Sequence, residues 1–124
     1  MSTQNLKPLS KFVRRGPFIF TSSTTSVSTG STSTPTILHP ESSAFHQALQ
    51  AFSEIIRAVE ALDGTKEDVV RVRMFVTRDE DSGEVGRALK EVFEDVGPAA
   101  TMILGVRFVS EEMRVEIEAD AVVL

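Results

Sequence analysis

The sequence predicts an α+β domain in which one β-sheet of about five strands carries two helices on one face. Two segments repeat apolar residues at intervals of three and four, which is typical of amphipathic helices, and five shorter segments have strand-like composition or alternation. They follow one another in the order ββ-α-β-α-ββ. The length of 124 residues corresponds to a single domain spanning residues 1–124.

The N-terminal elements are predicted to form an antiparallel hairpin. Arg14-Arg15-Gly16-Pro17 is a turn signal, and the strand-like Phe18-Ile19-Phe20 follows it. We therefore expect strands over residues 10–14 and 18–23. Residues 1–7 are polar and are expected to be flexible.

A run rich in Ser and Thr follows the hairpin, because twelve of the fourteen residues from 21 to 34 are Ser or Thr. Its first part, residues 21–25, is predicted to complete the second strand, since Thr is β-branched and favours strands. The second part holds Gly30 and no large apolar residue before Pro35. It predicts a loop over residues 28–40 that leads to the first helix.

Two helices are predicted from their apolar periodicity. The first has Ser42 or Ser43 as its N-terminal cap and Gly64 at its end, and Gln47 lies off its apolar face. That face consists of Phe45, Leu49, Phe52, Ile55, Ile56, Val59 and Leu62. The second helix is predicted over residues 82–96, where Gly97-Pro98 stops it. Its inward positions are Val85, Ala88, Leu89, Val92, Phe93 and Val96.

The remaining strands are predicted over residues 69–77, 101–109 and 113–123. The apolar positions of the first and last of these are Val70, Val72, Met74, Val76, Val115, Ile117, Ala119, Ala121 and Val123, and they are expected to meet the helices. The opposite face carries Arg71, Arg73, Phe75, Arg114, Glu116, Glu118 and Asp120. This charged face is either solvated, with ion pairs across strands, or packs against another copy of the chain.

The composition excludes several kinds of site. The chain has no Cys, which removes disulfides, thiolate metal sites and Cys nucleophiles. Its net charge of −5 argues against nucleic acid as a partner, because phosphate binding needs clustered Lys and Arg. No apolar run approaches the ~20 residues of a membrane span and no secretory segment follows Met1, so we expect a cytoplasmic protein without a membrane partner.

The sequence indicates no metal site and no cofactor. His39 stands beside Pro40 in the predicted loop, and His46 lies on the first helix without a carboxylate at a typical metal-binding spacing. The charge runs at residues 66–68 and 78–81 are interpreted as solvated faces.

Three blocks of sequence are specific when they are taken together and in order. They are Glu67-Asp68-Val69-Val70 with the strand up to Thr77, Glu84-Val85-Gly86-Arg87 with Glu91-Val92-Phe93, and Gly97-Pro98-Ala99-Ala100-Thr101-Met102 leading to Val115-Glu116-Ile117-Glu118-Ala119. The chain thereby resembles the YjgF/Rid family of imine and enamine deaminases, which includes endoribonuclease L-PSP-like proteins. The resemblance implies a chorismate-mutase-like fold with a mixed sheet. It also implies a homotrimer whose uncovered sheet faces meet, with ligand clefts between subunits, and so favours the interface interpretation.

The resemblance further implies hydrolysis of 2-imino and 2-aminoacrylate-type compounds to 2-keto acids and ammonia. In the family an Arg directly after the Pro-Ala turn pairs with the substrate carboxylate, because a guanidinium matches a carboxylate bidentately. Ala100 stands at that position, so the chain resembles a branch without this Arg. Glu116 matches the acidic residue of the family cleft, which implies a catalytic role as general acid or base or in orienting water. The alternative is a structural carboxylate paired with a strand Arg.

Several further positions carry over as ligand-binding candidates. Ser22, Ser23 and Thr24 match the family segment that contacts the ligand, with Ser23 where a Gly is usual; simple strand propensity is the alternative. Thr101 follows the Ala pair and either contacts the ligand or only begins a strand. Arg107 and Arg73 are candidates to replace the missing Arg, and ion pairs with the last strand are the alternative for both. Leu9 stands where the family has a Tyr.

The departures lie at the ligand end of the fold, so we expect a retained architecture with altered chemistry. The predicted function is that of a trimeric small-molecule protein acting on an imine, enamine or related carbonyl compound by water addition or proton transfer at Glu116, with 2-imino-acid deamination weak or lost. The alternative is a trimer that binds a metabolite or a protein without catalysis. Ribonuclease activity is least favoured, because the chain is acidic and shows no pair of catalytic His residues.

Overall fold

The computed structural model of the chain describes residues 12–22, 27–28, 36–37 and 43–124. The strands are β1 (Phe12–Arg15), β2 (Phe18–Thr21), β3 (Val27–Ser28), β4 (Thr36–Ile37), β5 (Val69–Val76), β6 (Ala99–Leu104) and β7 (Val115–Val122). The α-helices are α1 (Ala44–Ala61) and α2 (Ser82–Phe93), and short 3-10 helices at Lys66–Asp68 and Asp79–Asp81 precede β5 and α2.

Five of these strands form one mixed sheet in the order β1-β2-β7-β5-β6. The last strand of the chain, β7, lies in the centre and is antiparallel to both β2 and β5. The edge strand β6 is parallel to β5, and α2 supplies the crossover that a parallel pair requires. The predicted α+β fold with one mixed sheet and two helices is therefore confirmed.

The two helices pack on one face of the sheet and enclose the core. Helix α1 contacts both α2 and β7, and Phe52 meets Phe93 edge to face with ring centroids 5.4 Å apart. The sheet contributes the buried residues Ile19, Val72, Met74, Val76, Val115, Ile117, Ala119 and Ala121. The period-two alternation predicted for β7 and for most of β5 is thus confirmed. Neither helix is long and apolar enough to cross a membrane, as far as the described residues extend.

Val70 is an exception to the predicted alternation of β5. The pairing register between β5 and β7 shifts between Val69 and Arg71, so one residue of β5 is inserted there as a bulge. Val69 becomes a core residue with 2% exposure, whereas Val70 is 46% exposed. A period-two pattern cannot reveal such an insertion, because Val69 and Val70 are identical residues.

The largest differences between predicted and observed boundaries are at the ends of α2 and β6, where backbone hydrogen bonds override the apolar pattern. Helix α2 ends at Phe93 rather than at residue 96, because the Val96 amide donates to a carbonyl three residues back, that of Phe93, rather than four. Gly97 then closes the turn with a positive φ of 66°. Strand β6 occupies Ala99–Leu104 rather than residues 101–109. It ends where Gly105 takes a positive φ of 83° and donates to the Val76 carbonyl.

The N-terminal hairpin is confirmed, with antiparallel pairing from Phe12 opposite Thr21 to Arg15 opposite Phe18. The predicted loop over residues 28–40 needs one correction: β3 and β4 pair there, with Val27 opposite Ile37 and Ser28 opposite Thr36. Their β-branched residues favour this short ladder over an open loop. Residues 1–7, and residues 10, 11 and 23–25 of the predicted strands, lie outside the described residues.

The ends of α1 agree with the prediction, but Gly64 acts differently from the expectation. Ser43 is the N-terminal cap, since its hydroxyl accepts from the amide of His46. At the other end the amide of Asp63 donates to the Glu60 carbonyl and that of Gly64 to the Val59 carbonyl, which is a Schellman arrangement. Asp63 takes the positive φ of 69°. Gly64 is needed instead for close packing, because an added Cβ would lie 2.8 Å from Val59 Cγ1.

Candidate functional site

The face of the sheet opposite the helices carries a mixture of aromatic and charged side chains, and we call it the open face. By strand register and alternation it comprises Phe18, Phe20, Arg71, Arg73, Phe75, Thr101, Ile103, Glu116, Glu118, Asp120 and Val122. Phe18 and Phe20 stack with centroids 6.4 Å apart and are 49% and 45% exposed. An apolar surface of this kind on a sheet face is typical of a binding surface.

Arg73 is held by two carboxylates at the centre of the open face. Its guanidinium lies 3.3 Å from Glu118 and 3.4 Å from Asp120, and all three side chains are about one-third exposed. These ion pairs are the alternative that the sequence left open for Arg73. They fix its orientation and satisfy much of its charge, so a ligand carboxylate would have to compete with both acidic residues.

Glu116 lies in the next row of the open face, opposite Phe75 of β5, which itself neighbours Ile103 of β6. Within the described part of the chain its carboxylate accepts no hydrogen bond and forms no ion pair, in contrast to Glu118. Burial raises the pKa of the Glu116 carboxyl above its ordinary value, and the charge of Glu118 raises it further. The arrangement can therefore hold a proton more readily than an exposed carboxylate.

The start of the Ser/Thr run is anchored to β7 by a hydroxyl. Thr21 Oγ1 accepts from the amide of Ala119 at 2.9 Å and donates to its carbonyl at 3.3 Å, in a buried position. Ser22 follows directly and is exposed at the end of β2. The structure thus brings Ser22 close to the central strand, while Ser23 and Thr24 lie outside the described residues.

Ala100 and Thr101 lie on the edge strand β6 and are both exposed. Thr101 pairs with Arg73, which places it on the open face, whereas Ala100 pairs with the core residue Val72 and so lies on the opposite side. Ile103 is the residue of β6 that lies in the same row as Glu116. Ala100 is three residues from Ile103 along the strand, which corresponds to about 10 Å. Within one chain the structure does not bring Ala100 together with Glu116.

Arg107 lies away from the sheet, in the connection of residues 105–114 between β6 and β7. This connection walls a cavity of about 590 Å³ at the carboxyl end of β5. The cavity is lined by Thr77, Arg78, Val106, Arg107, Phe108, Ser110, Glu111, Glu112, Met113 and Arg114. Of the residues that sequence analysis singled out for a site, only Arg107 lines this cavity. No sequence pattern indicated the cavity itself.

Comparison with protein families gives a match over almost the whole chain. Residues 2–123 match the family described as Endoribonuclease L-PSP. The chain belongs to the endoribonuclease L-PSP family, also called the YjgF family. Its resemblance to this family, expected from the three sequence blocks, is thus confirmed.

Two further proteins are similar to part of this chain. The chain is 29% identical over 85 residues to an uncharacterized protein of Streptomyces coelicolor, covering 68% of this chain and 63% of that one. It is 34% identical over 77 residues to a 2-iminobutanoate/2-iminopropanoate deaminase of Dermatophagoides farinae, covering 62% of this chain and 59% of the deaminase. The matched region thus spans about three-fifths of the length of these two relatives.

A solved structure supports the fold assignment independently. A Mycobacterium tuberculosis protein described as a member of the YjgF/YER057c/UK114 family has a TM-score of 0.76 and 30% sequence identity, covering 93% of this chain and 86% of that one. The chorismate-mutase-like α+β architecture expected from the sequence is therefore shared with solved members of the YjgF family.

Two buried polar residues that sequence reasoning missed hold the cavity wall of this YjgF-family chain. Gln47 of α1 is fully buried; its Nε2 donates to the Glu112 carbonyl at 3.1 Å and its Oε1 accepts from the Arg114 amide at 3.0 Å. The interpretation of Gln47 as lying off the buried face is therefore wrong. The partner backbone is 65 to 67 residues away in the chain, so helical periodicity contains no signal for it.

Asp81 corrects the interpretation of residues 78–81 as a solvated run. Its residue exposure is 1%, and its carboxylate lies 2.9 Å from Arg114 Nη2 and 3.2 Å from Arg78 Nε. The carboxylate therefore joins two of the arginines that line the cavity. Among the described residues no group of His, Asp and Glu is arranged to hold a metal ion.

Proposed function

We propose that this YjgF-family protein acts on a small imine, enamine or related carbonyl compound in a cleft between subunits of a homotrimer, with Glu116 as the catalytic residue. The observation that carries the proposal is the half-buried Glu116 carboxyl, which has a raised pKa and no partner among the described residues. The deaminase name of the Dermatophagoides farinae relative supports the reaction class.

The chemistry proposed for Glu116 is water addition with proton transfer. The Glu116 carboxylate takes a proton from water as the water oxygen bonds to the imine carbon. The carboxyl then gives this proton to the imine nitrogen, so that water has added across the C=N bond. Collapse of the resulting carbinolamine forms the carbonyl group and expels ammonia. A carboxyl with a raised pKa suits this exchange, because its ability to give and accept a proton lies closer to neutral pH.

Deamination of small 2-imino acids is proposed to be weak or lost. Ala100 provides no guanidinium for the substrate carboxylate, and Arg73 is engaged by Glu118 and Asp120. Loss of one half of a charge-assisted pair costs about 1.5–3 kcal/mol of binding, or roughly a factor of 10 to 100. Compounds without a carboxylate at that position would not suffer this loss, and they are the favoured substrates of the proposed site.

A direct assay tests the catalytic assignment. The protein is incubated with enzymatically generated 2-aminoacrylate and with a panel of neutral imines and enamines, and ammonia release is measured. We expect turnover of a neutral member that Glu116→Gln abolishes. Glu91→Gln, on the exposed side of α2, is the matched control and is expected to retain turnover. Unchanged turnover in Glu116→Gln would refute the role of this residue.

A second candidate function is a trimer that binds a metabolite or a protein without catalysis, and Ala100 in place of the family Arg is the observation that favours it. It also predicts binding to the open face, but no chemical change in the bound compound. Calorimetric binding of a panel member with no ammonia or carbonyl product over hours would support this candidate. Rapid conversion of any member would exclude it.

A further inference from the structure

We infer that the cavity walled by residues 105–114 is a separate binding site for a zwitterion with an apolar body, such as an α-amino acid with an aliphatic or aromatic side chain. The site does not include Glu116, Ser22 or Ala100 and does not depend on the function proposed above. Its volume of about 590 Å³ lies within the ~300–1,000 Å³ of typical small-molecule sites. This volume accommodates a molecule with a side chain of several carbons.

The positive end of the site is Arg107. Three guanidinium groups line the cavity, but Asp81 engages those of Arg78 and Arg114 at 3.2 and 2.9 Å. Arg107 is exposed, and its guanidinium makes no ion pair or hydrogen bond within the described part of the chain. A ligand carboxylate can therefore pair with Arg107 without displacing a protein carboxylate, and a guanidinium fork matches it bidentately.

The negative end of the site is the pair Glu111 and Glu112. Both residues line the cavity and are exposed, and their side-chain carboxylates form no ion pair within the described residues. A simple anion at Arg107 would be repelled by these two carboxylates, whereas a ligand that also carries an ammonium group would be attracted by them. Unpaired charges of both signs around one cavity thus favour a zwitterion over an anion.

Apolar side chains supply the remainder of the lining. Val106 and Phe108 are half-buried beside Arg107, and Met113 is 9% exposed on the opposite arm of the connection. Burial of an aliphatic or aromatic ligand group against them contributes about 25 cal/mol per Å² of apolar surface removed from water. The lining therefore favours apolar amino acids over small polar ones.

The wall of the cavity is fixed before any ligand arrives. The amides of Gly105 and Val106 donate to the Val76 carbonyl, and the amide of Thr77 donates to the Arg114 carbonyl, so both arms are tied to the end of β5. Gln47 holds the second arm from the helix side, as described above. A preformed wall reduces the ordering cost that binding would otherwise incur.

Isothermal titration of the full chain with L-phenylalanine, L-leucine and L-methionine tests the inference. We expect saturable binding that Arg107→Ala weakens by about tenfold or more, since it removes a charge-assisted pair. Arg57→Ala, a surface arginine on α1, is the matched control and is expected to leave affinity unchanged. Absence of binding by all three amino acids, or unchanged affinity in Arg107→Ala, would overturn the inference.

Two ligand analogues test the zwitterion itself. The analogue 3-phenylpropanoate lacks the ammonium group and 2-phenylethylamine lacks the carboxylate, and we expect each to bind more weakly than L-phenylalanine. Equal binding of 3-phenylpropanoate would show that Glu111 and Glu112 have no role. The variant Glu116→Gln distinguishes this site from the proposed catalytic one, because its affinity for L-phenylalanine should equal that of the wild type. A loss of affinity in Glu116→Gln but not in Arg107→Ala would place the amino acid on the open face instead.

Discussion

Glu116 and Glu118 stand two residues apart on the same face of β7, yet their surroundings differ. Glu118 is paired with Arg73 at 3.3 Å, whereas Glu116 lies beside Phe75 in the row that includes Ile103. Burial there raises the pKa of the Glu116 carboxyl, and the charge of Glu118 raises it further. Two carboxylates in different environments are a recurrent feature of acid–base sites, because the environment separates their proton affinities. At the scale of single residues, the open face therefore carries one carboxylate held in an ion pair and one without a partner among the described residues.

The raised pKa of Glu116 predicts a pH-dependent stability effect. Because the folded state favours the protonated carboxyl, the free energy of unfolding falls as the pH rises through the raised pKa, and this cost is absent below the ordinary value of 4.5. Glu116→Gln removes the ionisation, so it should stabilise the protein at neutral pH and have little effect in acid. Urea unfolding of both proteins at matched concentration, from about pH 4 to 8, measures the difference. Destabilisation at neutral pH would indicate a cationic partner for Glu116.

Gly64 is predicted to tolerate no side chain. A Cβ there would lie 2.8 Å from Val59, 3.1 Å from Val123 and 3.3 Å from Ile19, all at side-chain carbons of the core. We expect Gly64→Ala to lower the free energy of unfolding by about 1–3 kcal/mol through overpacking. Gly83→Ala is the matched control, since nothing lies within 4 Å of its added Cβ in the first turn of α2. Gly83→Ala should raise the free energy of unfolding by about 0.5–1 kcal/mol, because Ala has a higher helix propensity than Gly. If Gly64→Ala and Gly83→Ala changed the free energy of urea unfolding equally, the packing argument would be contradicted.

Residue patterns predicted most of the side chains that share the open face, but not which polar residues are buried. Arg114, which was also predicted on that face, pairs with the buried Asp81 and lines the cavity instead. The alternation of β7 places Glu116, Glu118 and Asp120 together because the period of a strand is fixed by its backbone. Asp81 and Gln47 were missed because their burial depends on Arg114 and on the backbone near it, which only the folded chain brings close. Composition alone makes Asp81 look like one more surface charge.

At the scale of elements, the connection of residues 105–114 behaves as a built structure rather than as a free loop. It leaves β6 at Gly105 and joins β7 through Met113 and Arg114, and helix α1 supports it through Gln47. The sequence predicted strand through most of this region, because apolar residues continue from Ile103 to Val109. These residues form a connection instead of a strand, because their backbone hydrogen bonds go to the end of β5. A local sequence pattern contains no information about those bonds.

Gln47→Leu is predicted to loosen this connection. The substitution leaves the Glu112 carbonyl and the Arg114 amide without their buried partner, and an unsatisfied buried group costs about 1–3 kcal/mol. Gln50→Leu is the matched control, because Gln50 makes only a part-buried hydrogen bond to Glu54 on the same helix. Urea unfolding should show a larger loss for Gln47→Leu, and calorimetry should show weaker amino-acid binding. Retained stability in Gln47→Leu would mean that water or a neighbouring group replaces both bonds.

The boundaries of elements were less predictable than their existence. The helix–strand order followed from periodicity and the mixed sheet from the resemblance to the YjgF/Rid family. Neither predicted the bulge at Val70 or the early end of α2 at Phe93. The bulge depends on the pairing register with β7, and the helix end depends on hydrogen bonds of the residues that follow α2. The sequence of the segment itself determines neither feature. The bulge changes the positions of Val69 and Val70 only, because Arg71 and Arg73 keep the predicted alternation and lie on the open face.

At the scale of the whole molecule, the open face is the largest feature that one chain leaves unexplained. Phe18, Phe20 and Ile103 are each 40–49% exposed there, around the ion pairs of Arg73. Exposed aromatic and aliphatic side chains beside paired charges are typical of an interface between subunits. Membership of the YjgF family supports the proposed homotrimer.

The proposed trimer predicts a particle of about 41 kDa in light scattering, three times the chain mass of 13.6 kDa. The double substitution Phe18→Glu and Phe20→Glu should release the monomer, because it places two carboxylates beside Asp120, where a neighbouring subunit would have to desolvate them. Val109→Glu is the matched control: Val109 is fully exposed in the 105–114 connection, so the same change in polarity should leave the trimer intact. A wild-type mass near that of one chain at micromolar concentration would remove the proposed inter-subunit cleft, and Glu116 would then have to act on an open surface. The cavity beside Arg107 is formed by a single chain, so its amino-acid binding should survive in the released monomer.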